Sequence, residues 1–337
     1  MTAKNTEFRL GVAGVLFASL VWGTTGTAAA FAPEVGAAAI GAAAMGLGGL
    51  MQAAIALRSI GRAGAALKRY WLWLAVGGIA VAIYPLAFYG AMRLSGVTIG
   101  TVVTIGSAPL LSALIERVFD GTRLSRRWLG GALIGLAGMV LLCMAQNGPY
   151  AQTAISGHST PSGIAPLLGI APLLGIALGL LGGLTYALYS FTARGLMLRG
   201  IPSRAAMGAT FGVGGLLLMP VLIITGGPFL SSWSNATVGL YMAVVPMFLG
   251  YIAFGMGLAR IPASMATTIT LLEPVVAAVL AVVLLDERLS PLGWLGVALV
   301  IFCLVVITAP TGSGHSARRR AGEVSQKPVA TGVTDSV

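Results

Sequence analysis

The chain has 337 residues, of which 57% are hydrophobic and only 9% charged, and its mean hydropathy is +0.94. Those proportions exclude an ordinary soluble domain and describe a polytopic chain whose solvent is largely lipid. The net charge of +11 sits on basic residues in short stretches between apolar segments, so it reads as anchoring at one membrane face and not as a nucleic-acid surface.

At about 20 apolar residues per crossing, ten helical segments are predicted, over 8–30, 35–57, 70–92, 95–118, 126–145, 168–192, 202–225, 236–259, 262–285 and 290–309. In the first, Lys4 and Arg9 precede an apolar run ending at Ala28 to Ala32, which is similar to a secretory signal. A retained helix is expected instead, because the run exceeds the 7 to 15 residues of a signal core. The same segment holds Trp22 and Thr25, and its Leu20 to Thr24 lines up with Leu184 to Leu188 of the sixth. Gly48, Gly49 and Leu50 of the second segment echo Gly214, Gly215 and Leu216 of the seventh. The third carries Tyr84 and Tyr89.

The fourth and fifth segments make the duplication plain. Arg93 to Leu142 recurs as Arg260 to Ile307, with a mid-segment proline (Pro109, Pro274), an Arg-Leu-Ser triplet and a Trp-Leu-Gly triplet in the same order. Two five-helix repeats are expected, residues 1–145 and 168–309, joined by an external linker over 146–167 and followed by a disordered cytoplasmic tail over 310–337. Five crossings per half make the halves inverted. With the N-terminus in the cytoplasm, all of the 20 basic residues except Arg93 and Arg288 fall inside, as the positive-inside rule requires.

Inverted-repeat carriers place their sites near the bilayer midplane, where helices are interrupted. Pro109 and Pro274 are the expected helix breaks, each freeing the carbonyl four residues back; a simple kink satisfied by neighbouring hydroxyls is the alternative. Thr98, Thr101, Thr104, Ala108 and Ser112 form one stripe at helical spacing, and Thr267, Thr270, Glu273, Pro274 and Ala277 another. Such stripes face either protein or a wet cavity. Glu273 is the sharpest residue, since a carboxylate at that depth costs several kcal/mol unless it is protonated, paired or hydrated. It either carries a proton or binds a substrate amine, or it serves structurally beside Pro274; its repeat mate is Ser107 or Ala108. The residues expected to line the cavity are Trp22, Thr25, Tyr84, Tyr89, Thr101, Thr104, Ser107, Tyr186, Tyr189, Tyr251, Thr267 and Thr270.

Asp286 to Arg288 read as a helix end before Ser290 and Pro291, an N-cap and first helical residue. Lys4, Lys68 and Lys327 follow no phosphate-binding glycine loop, and His158 and His315 lie outside the segments, so neither nucleotide hydrolysis nor a buried Ser-His pair is supported. Cys143 and Cys303 are isolated in apolar segments. No metal site, cofactor or enzymatic activity is expected.

Thr268 to Ile301, TITLLEPVVAAVLAVVLLDERLSPLGWLGVALVI, resembles the closing motif of the drug/metabolite transporter superfamily in its ten-helix EamA-type branch, and SLVWGTTG from Ser19 to Gly26 resembles that branch's opening helix. Asp286 stands where a Gly often precedes the Glu-Arg pair, and Gly121 to Arg123 lacks the Glu common in the first repeat. The resemblance implies an all-α integral membrane fold and secondary transport across the cytoplasmic membrane. The implied substrates are amino acids or related small metabolites, commonly exported through a cavity between the halves, with protons as a coupling ion. It places Glu273 and Trp22 in that cavity. Partners are then a small molecule, protons and lipid, in a monomer or homodimer with both termini cytoplasmic. The competing class is a non-transporting membrane protein: a sensor, assembly factor or lipid-modifying enzyme.

Overall fold

The computed structural model describes residues 3–122, 124–145, 171–284 and 289–309. Ten helices in it are long and apolar enough to span a bilayer: α1 Asn5–Ala30, α2 Ala37–Arg62, α3 Trp71–Ser95, α4 Ile99–Asp120, α5 Arg126–Ala145, α6 Ala171–Leu198, α7 Ser203–Thr225, α8 Trp233–Leu258, α9 Ala263–Leu284 and α10 Pro291–Thr308. No strand occurs among the described residues. Long apolar runs become helices because lipid offers backbone groups no other partner. Where polarity returns, local chemistry sets the ends. The Ser232 hydroxyl accepts from Asn235 N at 3.2 Å to start α8, and Ser290 accepts from Gly293 N at 3.4 Å ahead of Pro291 to start α10. Arg123, the 146–167 linker, Asp286 to Arg288 and the 310–337 tail lie outside the described residues.

The two halves interleave. α6 packs along α3 and α4, α7 along α2 and α3, and α1 along α8. The α1 to α8 contact is the repeat mate of α6 to α3, so each half receives the first helix of the other. Small residues permit this closeness. On α5 and α10, a Cβ added to Gly138 would stand 2.7 Å from Gly296 O, and one on Gly296 2.6 Å from Gly138 O.

Four spans depart from regular α-helix. α1 breaks between Trp22 and Thr25, α2 is π-helical over Ala42–Leu47 and α8 over Ala243–Leu249, and α9 breaks between Ile269 and Leu272. The two expected proline breaks separate here. Pro274 follows a break because it falls in the first turn of the second α9 piece, where a missing N–H is no loss. The Thr270 carbonyl receives Glu273 N at 3.0 Å. At Pro109 the expectation is corrected: the helix runs unbroken from Val97 to Asp120. One absent N–H removes a single rung from a ladder that continues on both sides, and that stretch is clamped against α6.

Candidate functional site

All four irregular stretches meet at one cavity of about 40 Å³, lined by Trp22, Thr25, Gly41, Ala44, Met45, Tyr84, Pro85, Phe88, Tyr89, Tyr186, Met247, Tyr251 and Glu273. The break in α1 supplies Trp22 and Thr25, whose hydroxyl is held by Trp22 O at 2.7 Å. The π-helical stretches of α2 and α8 supply Ala44, Met45 and Met247, and the break in α9 supplies Glu273. A π-turn inserts a residue into the helical ladder and re-aims the side chains after it.

Aromatic rings build the walls. Trp22 donates its Nε1–H to Pro246 O at 2.8 Å and lies 4.6 Å from the Tyr251 ring and 5.2 Å from Phe254. Tyr84 and Tyr186 approach within 5.5 Å, and Phe88 reaches Tyr89 at 5.2 Å. Behind this layer Tyr189 shares a 2.8 Å hydroxyl contact with Tyr251, and the Tyr186 hydroxyl donates to Thr270 Oγ1 at 2.9 Å. Thr270 in turn donates to Thr267 O at 2.9 Å. Glu273 is half-buried, and among the described residues no group hydrogen-bonds or ion-pairs with its carboxylate. The cavity can thus offer one carboxylate, tyrosine hydroxyls and aromatic faces, a set suited to an ammonium group carried on a small apolar body.

Six of the twelve residues expected at the cavity line it: Trp22, Thr25, Tyr84, Tyr89, Tyr186 and Tyr251. The other six stand elsewhere. Thr104 and Ser107 face the glycines of α6, where a Cβ on Gly182 would meet Thr104 Cγ2 at 2.8 Å and one on Gly183 would meet Ser107 Oγ at 2.0 Å. Their stripe is a packing surface. Thr101 is half-buried on the same helix. Thr267 is fully buried and spends its hydroxyl on Ala263 O and Ser264 O, while Thr270 and Tyr189 brace the lining residues from behind. Gly41, Ala44, Met45, Pro85, Phe88 and Met247 are lining residues that the sequence reading passed over. Pro85 and Pro246, unrepeated prolines inside apolar segments, were the available signal.

The bracing bond carries a prediction. Tyr186→Phe leaves Thr270 without its donor and is expected to lower stability by about 1 kcal/mol, read as a lower midpoint in thermal melting of the purified protein, with the fold intact.

A second pocket of about 630 Å³ lies among the ends of α1, α8 and α9, lined by residues such as Phe31, Trp233, Thr237 and Leu284. It has no charged residue in its lining, and the 2.7 Å Thr24 to Tyr241 hydroxyl contact stands at its edge. Its size exceeds that of the central cavity, but its lining holds no charged residue that would orient a ligand.

Known proteins agree with this architecture. The model of the EamA-like transporter family matches residues 9–144 and again residues 173–309. The chain is 30% identical to an uncharacterized transporter, YwfM, of Bacillus subtilis, over 88% of this chain and 92% of the relative. It is 26% identical to a probable terminal-alkyne amino-acid exporter of Streptantibioticus cattleyicolor, over 61% of this chain and 63% of the relative. It is 29% identical to the threonine/homoserine exporter RhtA of Salmonella typhimurium, over 42% of this chain and 46% of the relative. A solved crystal structure superposes with a TM-score of 0.68 at 20% identity, covering 92% of this chain and 98% of the other. With ten spanning helices and one family pattern matched in each half, the chain is a multi-pass membrane protein that belongs to the EamA-like transporter family.

Proposed function

We propose that this protein is a secondary transporter of the cytoplasmic membrane that exports amino acids or related amino-bearing metabolites by alternating access. In this reading Glu273 receives the substrate ammonium or a coupled proton. The observation that carries it is the Glu273 carboxylate, half-buried, without a protein partner among the described residues and set among tyrosine and tryptophan rings. Such a group is expensive to keep at membrane depth, so it implies a partner that comes and goes. The relatives named as amino-acid exporters support an amine substrate.

A cavity of about 40 Å³ has room for a few waters, at about 10–15 Å³ each, and none for an amino acid. This is a constricted state, and the cavity widens when substrate enters. The two halves, 1–145 and 168–309, rock about it, with both termini in the cytoplasm, the 146–167 linker outside and the 310–337 tail inside. Basic-residue placement supports that orientation. Proteoliposomes loaded with labelled amino acids test the proposal: efflux is expected, accelerated by an imposed pH gradient. No flux across a broad panel of amino acids and amines would favour the non-transporting class.

A further inference from the structure

Among the described residues, one other carboxylate is buried away from the cavity. Glu116, near the end of α4, is 4% exposed. Its partners lie across the boundary between the halves. Oε1 accepts from Ala263 N at 2.7 Å and from Ser264 N at 3.4 Å, and Oε2 accepts from the Ser264 hydroxyl at 2.5 Å. Ala263 and Ser264 open α9 behind Pro262, which offers no side chain to cap the helix. The first N–H groups of a helix need an acceptor; here a residue of the first half supplies it to a helix of the second.

The same turn is held from two further helices. Arg194 of α6 donates to Leu258 O and Ile261 O, and Glu7 of α1 pairs with Arg260 at 2.7 Å. That ion pair is largely exposed, with side chains 29% and 61% accessible, so it contributes little. The Arg194 bonds join elements of a single half. Among the described residues a second charge-assisted tie crosses the halves at this end, the part-buried Arg127 of α5 donating to Val306 O of α10. Glu116 makes the more deeply buried one, and charge-assisted bonds shielded from water are the strong kind.

We infer that Glu116 is a gating residue, a latch that holds the cytoplasmic end of the transporter shut by capping α9 and that must release for this end to open. The inference rests on the alternating-access reading above. Rocking the halves apart separates α4 from the start of α9, and the released N–H groups and carboxylate are then hydrated from the cytoplasm. A latch of this kind biases a two-state equilibrium by the free energy of its bonds.

The test uses the full chain with Cys143→Ala and Cys303→Ala and one reporter at a time. Thr267→Cys sits one turn inside the latch and Thr25→Cys at the central cavity. A membrane-impermeant maleimide is applied to inside-out and right-side-out vesicles. Ser264→Ala removes one bond to a charged acceptor and is expected to raise cytoplasmic labelling of the Thr267 reporter about tenfold. Glu116→Ala is expected to raise it further, with Glu116→Gln between. Labelling of the Thr25 reporter from outside falls in the same order. That reciprocal change is what a structural defect would not produce, since loosened packing raises labelling from both faces. Unchanged sidedness in all three variants overturns the latch, as does loss of folded Glu116→Ala protein together with unaltered labelling in Ser264→Ala. Labelling needs no substrate, so a latch found without any amino-acid flux would overturn the substrate assignment and leave the gate standing.

Discussion

Replacing Glu273 by Gln is expected to abolish the response of efflux to a pH gradient while the protein melts at the same temperature or higher. The two side chains have nearly one shape, so the aromatic walls formed by Trp22, Tyr84 and Tyr186 keep their packing. What changes is charge. Among the described residues the carboxylate has no hydrogen-bonding or ion-pairing partner, so the substitution breaks no such bond and removes the cost of holding an anion at membrane depth, several kcal/mol. The gain in stability and the loss of coupling thus have one cause. Two outcomes separate the roles of the residue. If amino acids still raise the melting midpoint of the Gln variant, ligand binding survives and Glu273 is the proton carrier. If that shift disappears, the carboxylate holds the ammonium. Glu273→Asp, which keeps the charge but withdraws it by one methylene, is expected to retain pH dependence at a reduced rate. Equal flux and an unchanged pH response in the Gln variant would remove Glu273 from the mechanism.

The ten spans were legible in the sequence because lipid leaves the backbone one choice, with α2 and α6 running past their expected ends at 57 and 192 to Arg62 and Leu198, beyond the 20-residue crossing length that set those expectations. The central aromatics were legible for a related reason. Trp22 and Tyr186 are large polar-tipped rings too deep in their segments for an interfacial belt, and a bundle has one place to gather them with Tyr84 and Tyr251. Periodicity could not tell a polar stripe that meets water from one that meets glycine. Thr104 and Ser107 fall on the correct helical face for a cavity, yet Gly182 and Gly183 bring α6 so near that no cavity remains. Nor could a regular 3.6-residue period show that α2 and α8 pass through π-turns, which is why Met45 and Met247 were missed. Glu116 was hidden for another reason: two of its three donors are backbone N–H groups, and the third is the hydroxyl of Ser264, all at the start of a helix 147 residues or more away, a distance that no local pattern spans.

Gly183→Val is expected to cost roughly 3 kcal/mol or to prevent folding, the range of severe overpacking. A Cβ at this position would lie 2.0 Å from Ser107 Oγ and 2.8 Å from Thr104 O. The first contact is with a side chain and can be relieved; the second is with backbone and cannot, short of moving α4 away from α6. Ser107→Ala should therefore rescue Gly183→Ala in part and Gly183→Val hardly at all, a coupling that a double-mutant cycle on melting midpoints would measure. Gly130→Ala is the control, because a Cβ there meets nothing within 4 Å and alanine favours helix over glycine by up to about 1 kcal/mol. The consequence reaches the cavity. Tyr186 sits one turn beyond Gly183 on α6 and bonds to Thr270 beside the α9 break, so prying α6 from α4 also shifts the wall that faces Glu273. A Gly183→Ala variant that folds should lose transport out of proportion to its loss of stability, and transport falling only in step with stability would show that the spacing of these helices matters to folding alone.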